Sequence, residues 1–122
     1  RLKVLVVDDE AGMRTLVKRC LEECEILEAA SGQQAVDASI DPTMLDLLIT
    51  DQMMPGMEGH EVARRLRLRH PDLKVLYLTA NADRLFAAKE RMWDLEAYLE
   101  KPFSSQSLRQ AVAMLLFGRL DL

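Results

Sequence analysis

The sequence opens with the segment LKVLVVDD at residues 2–9, in which an apolar run of strand length ends at two adjacent aspartates. Three later apolar runs also stop at a polar residue, and these residues are Asp51, Thr79 and Lys101. Short Val-, Ile- and Leu-rich runs that alternate with segments of helical period are typical of βαβ units and of a mostly parallel sheet. We therefore predict an α/β fold in which the polar strand ends meet along one edge of the sheet.

Strand and helix patterns alternate along the whole chain, without an internal repeat or a linker. The expected strands are residues 2–7, 26–30, 46–51, 73–79 and 97–100. The expected helices follow Asp9, span residues 32–40, run from the loop that ends at Gly59 to about His70, span residues 83–93, and run from Ser104 or Ser105 to Gly118. The first helix has a predicted buried stripe of Met13, Leu16, Val17, Cys20 and Leu21. Ser31 and Gln34 form a capping-box pattern at the start of the second helix.

Composition bounds the class of protein. The 122 residues are 49% hydrophobic and 30% charged, with a net charge of −4, which predicts one globular domain over residues 1–122. An acidic domain of this kind is not expected to bind nucleic acid, and its apolar stretches are far shorter than the ~20 residues that cross a membrane. Without a secretory signal in the sequence, we expect a cytoplasmic location, with Cys20 and Cys24 as small buried or half-buried thiols.

Three aspartates, Asp8, Asp9 and Asp51, are expected to meet at the edge of the sheet. Like charges ~4 Å apart repel by roughly 4 kcal/mol at an effective dielectric constant of about 20, so the three carboxylates need a cation or shared protons. Magnesium suits such a site, because it binds a few carboxylate oxygens, keeps several waters and accepts phosphate oxygens. We expect Asp9 to coordinate the metal directly and Asp8 to act partly through water.

The other polar strand ends predict phosphoryl chemistry. Asp51 is the carboxylate that is free to attack phosphorus, since aspartate is a known covalent nucleophile in phosphoryl transfer. Lys101 supplies a positive charge for one phosphoryl oxygen, and the hydroxyl of Thr79 supplies a donor for another.

Four segments carry a resemblance to a known family: VVDDE at residues 6–10, ITDQMMPGMEG at 49–59, LTA at 78–80 and YLEKPF at 98–103. In this order, they resemble the receiver domain of two-component response regulators, with a fold like that of the chemotaxis regulator. The resemblance implies a doubly wound (βα)5, flavodoxin-like three-layer sandwich with the parallel strand order 2-1-3-4-5.

The resemblance also implies a function. Asp51 would accept a phosphoryl group from a histidine kinase or a histidine phosphotransfer protein, and Mg²⁺ would be held by Asp8, Asp9, Asp51 and the backbone carbonyl of Met53. The domain would be a signalling switch in a phosphorelay, not an enzyme, although it would take part in its own phosphorylation and dephosphorylation. The phosphodonor would dock on the first helix, at Met13, Arg14 and Val17, and on the loop at residues 102–103.

Signal output is implied at two further positions. Thr79 would move toward the phosphoryl group and Tyr98 would turn inward behind it. This would change the surface of the fourth helix, fifth strand and fifth helix, where a second copy or an effector domain would bind. The Lys101–Pro102 peptide bond would be cis and would aim Lys101. Tyr98 also fits a half-buried edge-strand residue without a switching role.

The sequence departs from the family pattern before the fifth strand, where Trp93, Asp94 and Leu95 replace the usual small residue and glycine. Met53 and Asn81 occupy positions that influence phosphoryl lifetime in the family. Our hypothesis is that the apolar Met53 side chain shields the phosphoryl group from water.

Two other functions are alternatives to a phosphorylated receiver. A receiver-like interaction module that is never phosphorylated would not need the intact polar strand ends. An aspartyl-phosphate phosphatase of the haloacid dehalogenase type would need a second acid where Met53 stands. No phosphodonor or ligand role is expected for His60 or His70, and the arginines at 64–69 are expected to form a solvated helix face. The chain fits either a stand-alone regulator or a receiver from a larger protein such as a hybrid histidine kinase.

Overall fold

The computed structural model describes residues 1–38, 40–88 and 95–122. The strands are β1 Lys3–Val7, β2 Glu25–Ala29, β3 Leu47–Asp51, β4 Lys74–Thr79 and β5 Glu96–Glu100. The helices are α1 Ala11–Cys20, α2 Gly32–Asp37, α3 Gly59–Arg67, α4 Ala82–Ala88 and α5 Ser105–Phe117, and a 3-10 helix covers Pro42–Met44. The predicted alternation of strands and helices is confirmed.

The strands form one parallel sheet in the order β2-β1-β3-β4-β5. Within the sheet, Leu5 of β1 pairs with Leu27 on one side and with Leu48 on the other. The expected doubly wound (βα)5, flavodoxin-like sandwich is therefore confirmed. Because all strands run in the same direction, the carboxyl ends of β1, β3, β4 and β5 lie at one edge of the sheet.

Helices cover both faces of the sheet because the central strands are apolar on both sides. The core under α2, α3 and α4 includes Leu5, Val7, Leu48, Val75, Tyr77, Val62, Leu66 and Leu85. The core under α1 and α5 includes Val4, Val6, Ile49, Leu76, Leu78, Val17, Leu108 and Val112. Each fully buried Val or Leu contributes roughly 1.5–3 kcal/mol, so these two cores hold the strand ends in fixed positions.

The predicted helix caps are present with one difference. Ser31 Oγ accepts the Gln34 N–H at 3.1 Å, but Gln34 Oε1 accepts the N–H of Ala30 at 2.8 Å, one residue before the position expected for a capping box. Ser104, not Ser105, caps α5 by accepting a backbone N–H at 3.0 Å. Gly118 ends α5 with a left-handed φ of 69°.

Several element boundaries differ from the prediction. Helix α2 ends at Asp37, not at residue 40, and the 3-10 helix then begins where Asp41 Oδ1 accepts the Thr43 N–H at 3.0 Å. In α1, Leu16 is 41% exposed, so its assignment to the buried stripe is wrong. Only Val17, Cys20 and Leu21 of that stripe are buried, because α1 is covered on one side alone.

The fourth helix is described over Ala82–Ala88. The rest of the predicted span to residue 93 lies outside the described residues, as do Trp93 and Asp94. The two cysteines are buried free thiols, as expected. Within the ranges that the structure describes, none of the helices has the length and apolarity that a membrane crossing requires.

Candidate functional site

Three aspartates lie together at the carboxyl edge of the sheet. Asp8 directly follows β1, and Asp51 is the last residue of the neighbouring strand β3. Asp9 joins them from the loop after β1, and one carboxylate oxygen of each of the three lies within 4.8 Å of the other two. Asp8 and Asp51 are buried, whereas Asp9 is exposed. The structure thus brings together the acids that the strand-end pattern predicted to meet.

Lys101 is the positive charge at this cluster. Its Nζ lies 3.3 Å from Asp8 Oδ2 and 3.5 Å from Asp51 Oδ2, and its side chain is 16% exposed. The Lys101 N–H donates to the Thr79 carbonyl at 2.8 Å, and the Lys101–Pro102 peptide bond is cis. The ammonium balances one of the three carboxylates, so the cluster retains a strong attraction for a further cation.

A second basic residue, Arg14 of α1, contacts the backbone of the cluster at Asp8. Its Nη1 donates to the backbone carbonyl of Asp8 at 2.7 Å, and its Nε lies 3.3 Å from Glu28 Oε1 on β2. The Glu10 N–H donates to Asp8 Oδ1 at 2.9 Å. These contacts of Arg14 and Glu10 were not predicted from the sequence. The available signal was an arginine in the first turn of a helix, where the helix dipole disfavours a cation unless a partner compensates.

The pKa of the Asp51 carboxyl differs from its usual value. Burial raises its pKa above the usual value of 3.8; the Lys101 ammonium lowers it and the Asp8 carboxylate raises it, and the net shift is upward. The ionised form of Asp51 is therefore less favourable in the folded protein than in the unfolded chain.

This shift predicts the effect of an Asp51→Asn substitution on stability. A raised folded-state pKa means that ionised Asp51 destabilises the fold above that pKa, and that this cost disappears as the pH falls through the raised value toward 3.8. At pH 7 and without Mg²⁺, we expect the variant to have a higher Tm than the wild type, because the amide places no charge in this buried position. The advantage should vanish near pH 3 in thermal unfolding followed by circular dichroism. If Asp51→Asn were less stable than the wild type at pH 7, the predicted stabilisation would be contradicted.

The donor set fits magnesium. Carboxylate oxygens from different parts of the chain, close together and only partly neutralised, are hard ligands for a small divalent cation. The exposed Asp9 leaves this side of the cluster open to solvent and ligand. The carboxylates of Asp8, Asp9 and Asp51 therefore fit the ligand preference of Mg²⁺.

Thr79 and Asn81 lie at the end of β4 and are bonded to each other. The fully buried Thr79 hydroxyl donates to the Asn81 carbonyl at 3.1 Å and accepts the Asn81 N–H at 3.1 Å. Asn81 Oδ1 in turn accepts the N–H groups of Asp83 at 3.0 Å and Arg84 at 3.3 Å, so it caps α4. A movement of the Thr79 hydroxyl would therefore change its bonds to Asn81, which caps α4.

Two other predicted site residues lie at the surface. Tyr98 is 41% exposed, and its ring packs edge-on against Phe86 of α4 with 5.3 Å between ring centroids. Met53 is 39% exposed, and its backbone N–H donates to Asp51 Oδ1 at 3.3 Å. Met53 is therefore next to the acidic cluster, whereas Tyr98 points away from the interior.

The sequence analysis also missed a buried ion pair. Arg67 Nη1 lies 2.9 Å from Glu96 Oε2, and the Tyr77 hydroxyl donates to the same oxygen at 3.1 Å. The expectation that the arginines of α3 form a solvated face is therefore wrong for Arg67, whose side chain is 10% exposed. Arg67 comes one turn after the buried Ala63, which was the available signal.

A family model supports the interpretation of this site. Residues 4–113 match the model of the response regulator receiver domain. The chain belongs to the response regulator receiver domain family. It is thus a receiver of two-component signal transduction, and its three aspartates fit the phosphoacceptor site of such domains.

Three known proteins illustrate the similarity of this chain to receiver domains and their parent proteins. Sporulation initiation phosphotransferase F of Bacillus subtilis is 30% identical over 112 residues, which cover 90% of either chain. Sensor histidine kinase TmoS of Ectopseudomonas mendocina is 33% identical over 93% of the receiver domain, which spans only 12% of that kinase. The crystal structure of response regulator protein TrrA from Thermotoga maritima, in complex with Mg²⁺ and BeF, has a TM-score of 0.78 and 35% identity, and it covers 95% of this chain and 100% of that one.

Proposed function

We propose that this receiver domain takes up a phosphoryl group on Asp51. The observation that carries the proposal is the contact of Lys101 Nζ with both Asp8 and Asp51, at 3.3 Å and 3.5 Å, inside a cluster of three aspartates. This arrangement supports the proposal, because phosphoryl transfer to Asp51 would need a carboxylate nucleophile, a fixed positive charge and metal ligands close together.

The transfer balances as a displacement at phosphorus. An Asp51 oxygen forms the new P–O bond as the P–N bond to the donor histidine breaks, and the imidazole nitrogen leaves with the electron pair and gains a proton. Lys101 stabilises the charge on the phosphoryl oxygens, and the Thr79 hydroxyl can donate to one of them once it leaves the Asn81 carbonyl. The product is an acyl phosphate on Asp51.

Asp8, Asp9, Asp51 and the backbone carbonyl of Met53 are the proposed ligands of Mg²⁺. When bound, the ion supplies charge neutralisation for the phosphoryl oxygens. Asp8 is held for this role by its bonds to the Glu10 N–H and to Lys101. Asp9, being exposed, remains free to turn toward a metal.

The proposed output runs from Thr79 to the surface of α4, β5 and α5. Because Thr79 is bonded to Asn81, which caps α4, a bond from Thr79 to a phosphoryl oxygen would disturb the start of α4. Tyr98 packs on Phe86 of the same helix and would turn inward when that contact changes. This surface is our proposed site for a second copy or an effector domain.

The proposed phosphodonor is a histidine kinase or a histidine phosphotransfer protein, docked on α1 and the Pro102–Phe103 loop. Val17 is fully buried and therefore does not belong to this surface, whereas Met13, Arg14 and Phe103 are partly exposed and support the proposal. We further propose one receiver domain over residues 1–122, located in the cytoplasm, acting as a switch and not as an enzyme on external substrates.

The direct test is incubation with acetyl phosphate and Mg²⁺ followed by intact mass spectrometry. The wild-type protein should gain one phosphoryl group, and omission of Mg²⁺ should prevent the gain. A mass that stays unchanged with the metal present would exclude the proposed function and leave the interaction-module alternative.

Met53 and Asn81 are proposed to set the lifetime of the acyl phosphate, with Met53 shielding it from water. We expect Met53→Asn to shorten the lifetime on the order of tenfold, which corresponds to about 1.4 kcal/mol of barrier. The measurement is the rate of mass loss after acetyl phosphate is removed. Met44→Asn is the matched control, since Met44 is 59% exposed in the 3-10 helix that precedes β3, at the opposite edge of the sheet. Equal lifetimes in Met53→Asn and wild type would remove the shielding hypothesis.

A further inference from the structure

Gln52, the residue after the proposed phosphoacceptor, has a fully buried side chain. Burial of a carboxamide is costly unless its polar atoms are bonded. The roles assigned above to the acids, Lys101 and Thr79 do not use this side chain. Its contacts therefore show what it contributes to the site.

Each polar atom of the Gln52 carboxamide is bonded to the start of α3. The His60 backbone N–H donates to Gln52 Oε1 at 2.9 Å. Gln52 Nε2 donates to Glu58 Oε2 at 3.1 Å and lies 2.7 Å from His60 Nδ1. The amide group has two hydrogens, one for the Glu58 carboxylate and one for His60 Nδ1 as an acceptor.

These bonds join Gln52, which precedes the loop at residues 53–58, to Glu58 and His60 at the end of that loop. The Gly59 N–H donates to the Gln52 carbonyl at 3.0 Å. A Cβ at Gly59 would lie 2.3 Å from the Asp51 carbonyl oxygen, so α3 begins in direct contact with the backbone of the acceptor. The loop that carries Met53 is thus fixed at its two ends by one residue.

We propose that Gln52 is a positioning residue for the magnesium site, acting through the loop at residues 53–58. Its carboxamide, held by Glu58 and His60, keeps the loop in one conformation and so positions Met53, whose N–H donates to Asp51 Oδ1 at 3.3 Å and whose carbonyl is the proposed metal ligand. The inference rests on the proposed function, which assigns that carbonyl to the metal. Groups that hold metal ligands in place typically change metal affinity by about 10–100-fold when they are removed.

A purely structural role for Gln52 is the alternative. Glu58, at the N-cap position of α3, makes no side-chain capping bond, and Gln52 accepts the first N–H groups of the helix in its place. Loss of a helix cap costs about 1 kcal/mol of stability. Such a role would lower Tm without changing the affinity for Mg²⁺, so metal affinity separates the two roles.

The test is a Mg²⁺ titration by isothermal calorimetry without a phosphodonor. Gln52→Met keeps the length of the side chain and removes its hydrogen bonds, and we expect it to bind Mg²⁺ about tenfold more weakly than the wild type. The matched control is Asp41→Ala, which removes the cap of the 3-10 helix at the opposite edge of the sheet. That variant should lose stability but bind Mg²⁺ with wild-type affinity.

A second pair of variants decides the question if Gln52→Met does not fold. His60→Asn places an oxygen where Nδ1 accepts and should retain the affinity for Mg²⁺, whereas His60→Leu lacks an acceptor and should lose affinity. Wild-type affinity in Gln52→Met, or equal affinity in the two His60 variants, would overturn the positioning role. A wild-type protein that binds no Mg²⁺ would instead refute the proposed metal site itself.

Discussion

Asp51→Asn is expected to gain no phosphoryl group from acetyl phosphate and Mg²⁺ under conditions in which the wild type gains one. The amide has no anionic oxygen with which to attack phosphorus, and it keeps nearly the same shape. Asp51 is also the acid of the cluster that ends a strand and contacts Lys101 at 3.5 Å. Intact mass spectrometry measures the difference, and brief treatment with neutral hydroxylamine should remove the added mass from the wild type.

The matched control for this experiment is Asp46→Asn. Asp46 immediately precedes the strand that Asp51 ends, and it is exposed and accepts the Lys3 N–H at 2.8 Å. This variant should be phosphorylated like the wild type. Phosphorylation of Asp51→Asn, for instance on Asp8 or Asp9, would show that the acceptor is not unique.

Lys101→Met is expected to lose both stability and reactivity. Asp8 and Asp51 have side chains that are 1% and 9% exposed, and removal of their shared cation leaves two buried charges uncompensated. Breaking a buried ion pair costs about 3–5 kcal/mol, and we expect the lower end, about 3 kcal/mol, because the cluster is open at Asp9. The rate of phosphorylation should fall about a hundredfold, as when one charge-stabilising donor is removed from an active site.

The stability loss in Lys101→Met should depend on charge. It should shrink when Mg²⁺ is added, which replaces the missing cation, and when the pH falls far enough to protonate the carboxylates. Lys74→Met is the control, since Lys74 begins β4 at the far edge of the sheet and donates to the Leu116 carbonyl at 3.2 Å. Its stability change should not respond to Mg²⁺. A Lys101→Met protein with wild-type stability and rate would contradict the role of Lys101.

Much of the fold and of the acidic cluster could be predicted because a parallel sheet converts a local pattern into a spatial one. An apolar run that stops at an acid places that acid at the carboxyl edge whatever the helices do in between. Asp8, Asp51, Thr79 and Lys101 were therefore located from the sequence. Element ends such as that of α2 were less accurate, because the 3-10 helix at Pro42–Met44 has no strong periodicity of its own.

The supporting contacts could not be predicted because they depend on which side chains meet after packing. Gln52 and His60 are eight residues apart, and Arg67 and Glu96 are separated by 29 residues. The two members of each pair do not lie in the same helix or strand, so each side chain alone fits a solvated surface position. Their burial arises only when α3 lies on the sheet.

The sequence by itself determined the order of the strands' polar ends, and with it the meeting of three carboxylates and one ammonium at a single edge. The tertiary structure decided what holds them there: the Arg14 contact with the Asp8 carbonyl, the Gln52 bonds to α3, and the engagement of the Thr79 hydroxyl with Asn81. The physical reason is that backbone periodicity fixes where a residue lies along an element. Which partner a polar side chain finds is fixed only by the packing of distant elements around it.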